Sequence, residues 1–183
     1  MKFYSLTAFA LLLSTVSLAQ LGEAFPDMDA ESLTHQQVNV PSDLKGKYSL
    51  IGLAYSKKSE KYLKTWFSPV YNTFIHKPET PSLFVGNYDV NVYFIPMFTG
   101  VKRAAYKSTM KKVEAGIDKR LHPHVLFYKG DLKTYKKALK FSGKDVPYFF
   151  VLNPQGEVIY TTTGSHSSAK MQKIMDQVDD AWQ

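Results

Sequence analysis

Three short runs in this sequence carry side chains capable of chemistry. Ser56 and Ser59 lie in Tyr55-Ser56-Lys57-Lys58-Ser59-Glu60. A serine becomes a nucleophile only when a base takes its proton, and none is evident nearby. His122-Pro123-His124 sets two imidazoles two residues apart, on one face if the stretch is extended, as a copper or zinc site would require. No adjacent cysteine or methionine supplies a third ligand, so one would have to arrive in space from His35, His76 or His166. The start of a polar strand explains the pair more simply, and no metal is expected. Gly164-Ser165-His166-Ser167 puts a serine beside a histidine, but triads are assembled in space rather than between neighbours. Helix capping is the simpler role, and no acid–base pair stands at a motif spacing.

The chain contains no cysteine. That excludes a disulfide framework, disulfide exchange, thiol-based peroxide reduction and attachment of lipid to an N-terminal cysteine.

The elements that would position these groups read as strands alternating with helices. Gln37 to Val40 is a short strand stopped by Pro41, inside an otherwise polar segment from Glu23 to Lys47. Ser49 to Ala54 is apolar on both faces and reads as a buried strand. Tyr55 to Ser59 opens a helix on which Tyr62, Trp66 and Val70 share a face with Leu63, Phe67 and Phe74, and Pro69 should bend or end it. Val90 to Ile95 is a second strand, closed by Pro96. Val101 to Arg120 reads as an amphipathic helix through Tyr106, Met110, Val113 and Ile117, followed by a strand from His124 to Tyr128. Leu132, Tyr135 and Leu139 mark another helix. Tyr148 to Leu152, the turn Asn153-Pro154-Gln155-Gly156 and Val158 to Thr161 form an antiparallel hairpin. Ser167 or Ser168 caps a last helix with a stripe of Met171, Ile174, Met175, Val178 and Trp182. This order predicts an α/β fold, a three-layer sandwich with a mixed central β-sheet flanked by helices.

At 183 residues and 44% hydrophobic content, one substantial core is affordable in surface terms. Met1-Lys2, an apolar stretch from Phe3 to Leu18 and the small residues Ser17 and Ala19 form a secretory signal peptide over residues 1–19, leaving a single domain over 20–183 that begins at Gln20. No other stretch is long and apolar enough to span a membrane. The net charge of +7 is nearly all lysine, with Arg103 and Arg120 the only arginines. Guanidinium scarcity and export both argue against nucleic acid as a partner, and the lysine clusters read as solvated helix faces.

Phe25-Pro26-Asp27-Met28 followed by Asp43-Leu44-Lys45-Gly46-Lys47 resembles the start of secreted thioredoxin-like oxidoreductases and peroxiredoxins. Val146-Pro147-Tyr148-Phe149-Phe150-Val151-Leu152-Asn153-Pro154-Gln155-Gly156 resembles their proline-led hairpin. The resemblance spans roughly Phe25 to Trp182. It implies a thioredoxin-like fold, a cis peptide bond before Pro147, and an active corner at Tyr55 to Glu60, where the family's catalytic cysteines would stand. Lys64-Thr65-Trp66-Phe67-Ser68-Pro69 is similar to a segment of the mitochondrial ATP synthase assembly factor family, whose members without redox cysteines act as binding proteins. These likenesses imply a non-catalytic protein-binding or assembly module of the cell envelope, secreted or periplasmic and without cofactor. The partner is expected to be a protein or peptide held over Tyr55, Ser56, Lys57, Lys58, Ser59, Val146 and Pro147, and could belong to a membrane complex. The alternative is a copper- or zinc-binding or delivery protein using His122 and His124.

Overall fold

A strand that is apolar on both faces needs cover on both faces, and the first long apolar run receives it. In the computed structural model, which describes residues 21–76 and 88–179, that run is a central strand with six of its seven residues buried. The expected signal peptide and Trp182 lie outside the described residues.

The strands in chain order are β1 (Met28–Ser32), β2 (Gln37–Val40), β3 (Tyr48–Ala54), β4 (Val90–Thr99), β5 (Leu126–Gly130), β6 (Tyr148–Leu152) and β7 (Val158–Thr163). The α-helices are α1 (Lys57–Leu63), α2 (Phe67–Val70), α3 (Tyr106–Gly116), α4 (Lys133–Ala138) and α5 (Ser168–Asp179). One mixed sheet runs in the order β2-β1-β5-β4-β3-β6-β7. The pairs β3–β4 and β4–β5 are parallel, and the remaining neighbours are antiparallel.

Alternation along β3 divides the core in two. Ile51 and Leu53 pack with Phe150, Tyr135 and Leu139 on the face that carries α4. Leu50 and Ala54 pack with Leu63, Trp66, Met110 and Ile174 on the opposite face, beneath α1, α2, α3 and α5. The three-layer, mixed-sheet architecture expected from the order of elements is therefore present. Gly52 leaves room for side chains of β6 and α1 to pack directly on the β3 backbone. A Cβ there would sit 2.6 Å from Cε1 of Phe149 and 3.1 Å from Cδ1 of Leu63.

Several element boundaries differ from the sequence expectation. β1 was not anticipated, because Met-Asp-Ala-Glu-Ser has little strand propensity; pairing with β5 on one side and β2 on the other makes it a strand. β4 runs through Pro96 to Thr99. Ala54 opposite Pro96 is the last β3–β4 pair, and on the β5 side Pro96 falls between the Phe94–Val125 bridge and the Met97–Tyr128 pair, so the missing N–H lies in a gap of that ladder. The first helical stretch breaks into α1, a 3₁₀ turn at Lys64–Trp66, α2 and a π turn at Tyr71–Ile75. Pro69 has no N–H for the carbonyl four residues back, which agrees with a break. The stretch expected as one helix from Val101 to Arg120 is a 3₁₀ turn at Gly100–Ala105, then α3, then a second 3₁₀ turn at Lys119–His124. Gly116 ends α3, and the Asp118 side chain accepts from the Arg120 N–H to start the next turn. The hairpin follows expectation, with Gly156 at φ +88° closing the turn through its N–H to the Asn153 carbonyl.

Gly52→Ala is expected to lower stability by about 1–3 kcal/mol, because Phe149 is itself held against Trp66 and cannot swing away. A urea midpoint equal to that of the parent protein would refute this close approach.

Candidate functional site

The end of β3 delivers Tyr55 and Ser56 to the start of α1. Ser56 is extended (φ −134°, ψ 158°) and caps the helix. Its Oγ accepts from the Ser59 N–H at 3.0 Å, and Ser59 Oγ accepts from the Ser56 N–H at 2.9 Å. Each hydroxyl has one proton to give. Ser59 gives its proton to the Ser56 carbonyl at 2.9 Å, and Ser56 gives its own to Asp145 Oδ1 at 3.1 Å. Both serines are buried, Ser59 completely. Two orphan N–H groups of the helix are satisfied, and the Ser56 hydroxyl ties down the Asp145 loop through its carboxylate.

Tyr55 fills the space beneath. Its ring stacks on Phe141 at 5.3 Å and lies parallel to Tyr148 at 6.4 Å, and its hydroxyl donates to the Gly143 carbonyl at 2.6 Å. Tyr148 Oη accepts from the Gly143 N–H at 2.6 Å. Burial first, then the neighbouring Tyr148, push the Tyr55 hydroxyl up to about 12, so it remains a neutral donor at physiological pH.

The structure thus brings the beginning of α1 against the loop that leads into β6. Of the seven residues expected at this corner, Tyr55, Ser56, Ser59 and Pro147 are buried, Val146 is half-buried, and Lys57 and Lys58 are exposed. Lys58 Nζ lies 3.9 Å from Asp145 Oδ2, a contact too exposed to contribute much. The expected cis bond before Pro147 is not present. The cis bond among the described residues is Val40–Pro41, and the Pro147 carbonyl instead accepts from the Gly164 N–H at 3.0 Å, extending the β6–β7 ladder by one step. Asp145, Gly143 and Phe141 were not singled out from sequence. They lie more than 80 residues from the serines and tyrosine they hold, so no local spacing announces them.

Beyond α1 the chain lines a cleft of about 260 Å³ against α3. Leu63 and Phe67 form one wall, Val113 and Ile117 the other, and Pro96 and Val125 the floor. Trp66 points the other way, into the core, with its ring 4.1 Å from Phe149 and its Nε1–H on the Gly164 carbonyl at 2.9 Å.

The histidine pair is not extended. His122 and His124 lie in the 3₁₀ turn Lys119–His124, so they do not share the face of a strand. His124 Nδ1 donates to the Val92 carbonyl at 3.0 Å, and burial lowers its pKa below the ordinary histidine value despite that bond. Among the described residues no three of His, Asp and Glu gather where they could hold a metal ion. His166 packs edge-on to Trp66, and Ser167 Oγ accepts from the Lys170 N–H at 3.4 Å, so this run caps α5.

A mixed sheet with helices on both faces, and a helix starting beside a proline-led hairpin, define a thioredoxin-like protein. Solved structures of that class are similar to it. BsSco, a member of the Sco family of cytochrome c oxidase assembly proteins, has a TM-score of 0.57 at 16% identity, covering 88% of this chain and 95% of that one. StoA from Bacillus subtilis has 0.53 at 13% identity, covering 85% and 98%. A 2-Cys peroxiredoxin of Plasmodium vivax has 0.53 at 14% identity, covering 88% and 98%. No protein of curated function matches in sequence. The chain belongs to the ATP10 protein family, which matches residues 13–180.

Ser56→Ala and Ser59→Ala are each expected to cost about 1–2 kcal/mol, with the double variant costing less than their sum because the two hydroxyls act as one unit. Additive losses in urea titrations would show the bonds to be independent. Acid should also destabilise the fold. The folded pKa of His124 lies below its free value, so the unfolded chain binds the proton first; stability is complete above about pH 6.5 and is lost as pH falls below it. His166, lowered by burial and then by Lys170, acts in the same sense. Denaturation midpoints of His124→Asn between about pH 7.5 and 5.5 should fall less steeply than those of the parent protein. An equal slope in both would remove His124 from this account.

Proposed function

We propose that this protein is a non-catalytic assembly factor. It would hold a protein partner, one belonging to a membrane complex, at the corner where thioredoxin-like enzymes do thiol chemistry. The observation that carries this reading is the reciprocal bonding of Ser56 and Ser59 with Asp145. It supports a corner whose polar atoms are already engaged, leaving Lys57, Lys58 and the edge of Val146 to meet a partner. Membership of the ATP10 family and the absence of cysteine support the same reading. The similarity in fold to a cytochrome c oxidase assembly protein is compatible with it. Work outside the cytosol, after removal of residues 1–19 as a targeting segment, completes the proposal.

A photo-crosslinking residue in place of Lys57 or Lys58, introduced in the native organism, is expected to capture a subunit of a membrane complex. The same residue at Lys133 on α4 should not. Capture from Lys133 alone would refute the corner as the partner site. The N-terminus of the purified native protein is expected at Gln20; retention of Met1 would refute removal of the targeting segment. Serine-directed phosphonate probes should leave Ser56 and Ser59 unlabelled, and labelling of either would contradict a non-catalytic role.

A further inference from the structure

We propose that the cleft between α1–α2 and α3 is a socket for an acidic segment of a partner protein that inserts one large apolar side chain. This rests on the protein-binding reading and gives the partner a chemistry. The cleft is recessed and apolar, with Leu63 fully buried and Phe67, Val113 and Ile117 half-covered around it. Its volume of about 260 Å³ falls below the ~300–1,000 Å³ of small-molecule sites and suits a single anchoring side chain.

The charge at the rim selects the occupant. Among the described residues Glu60 is the only carboxylate lining the cleft, and Lys102 already holds it at 3.0 Å with both side chains more than two-thirds covered. Lys64 and Lys112 stand exposed on opposite walls, and no carboxylate among the described residues pairs with either. Two free ammonium groups flanking an apolar recess favour a ligand with carboxylates on either side of an apolar residue. A second copy of this chain is a poor occupant, because each carries a net charge of +7. A lipid surface fits less well, because the apolar lining residues are buried or half-covered rather than projecting outward as an interfacial face does.

Gly116 provides a clean probe. It lines the cleft at the end of α3, and a Cβ built there meets nothing within 4 Å, so a larger side chain enters the opening without disturbing the core.

The test is fluorescence anisotropy of the purified full-length protein with synthetic peptides of about a dozen residues, the length of a helix-in-groove ligand. One peptide has a central tryptophan flanked by aspartates; the controls replace tryptophan by serine or the aspartates by lysines. Only the first is expected to bind. Lys64→Glu with Lys112→Glu should weaken it about tenfold, Gly116→Trp should abolish it, and Lys107→Glu with Lys111→Glu, on the other flank of α3, should change it little. Absence of binding by the first peptide at millimolar concentration would overturn the socket. Equal binding to the charge-reversed or Gly116→Trp proteins would do the same, as would binding to phosphatidylserine-containing vesicles but not to the peptide. Continued crosslinking from Lys57 or Lys58 alongside any of these results would sink the socket alone; loss of both would sink the assembly reading as well.

Discussion

An α-helix begins with N–H groups that have no partner within the helix, and how this chain satisfies them at the start of α1 governs the corner. In a thiol enzyme of this shape the reactive sulfur would draw on those donors. Here two serine oxygens take two of them, each accepting from the other's backbone, and the remaining proton of Ser56 goes to Asp145. The bond to Asp145 spans 89 residues and joins the start of α1 to the loop before β6. Tyr55 and Tyr148, converging on Gly143, fill the volume beneath.

The inner side of the corner is therefore built like the core, with Tyr55, Ser56, Ser59 and Pro147 buried. It has no thiol, its hydroxyls are buried and committed, and its nearest phenol is held neutral by burial. Lysines reach solvent along α1 and again across the cleft on α3, with Asp145 exposed at the corner and Glu114 on α3. A thioredoxin-like sheet is a rigid base for such a surface, since β3 and β6 are buried along almost their whole length. Rigidity and unspent surface charge are properties useful to a protein that holds another.

Much of the frame was legible because its signals are local. The run from Val146 to Gly156 contains a proline, a buried apolar strand and a Pro–Gly turn in sequence, and it forms the hairpin expected of it. The two-faced apolarity of β3 likewise identified a central strand. Signals that depend on distant partners were not legible. β1 is polar and owes its conformation to β5; the passage of β4 through Pro96 depends on where its neighbours stop and start. The site divides in the same way. Ser56 and Ser59 can be read as a helix start, but that Asp145 closes over them, and that Tyr55 is sealed below, follows only from the folded chain. The histidine pair reads as two ligands only on an extended backbone; the 3₁₀ turn removes that geometry, and His124 donates to the Val92 carbonyl.

Amide hydrogen exchange at Ser56 and Ser59 is the most direct measurement of this closure. A corner held by its own reciprocal bonds should protect both amides to the level of the central amides of β3 and β6. Exchange of either at the rate of an exposed loop would mean that the corner opens freely and that its polar groups remain available, contrary to this account.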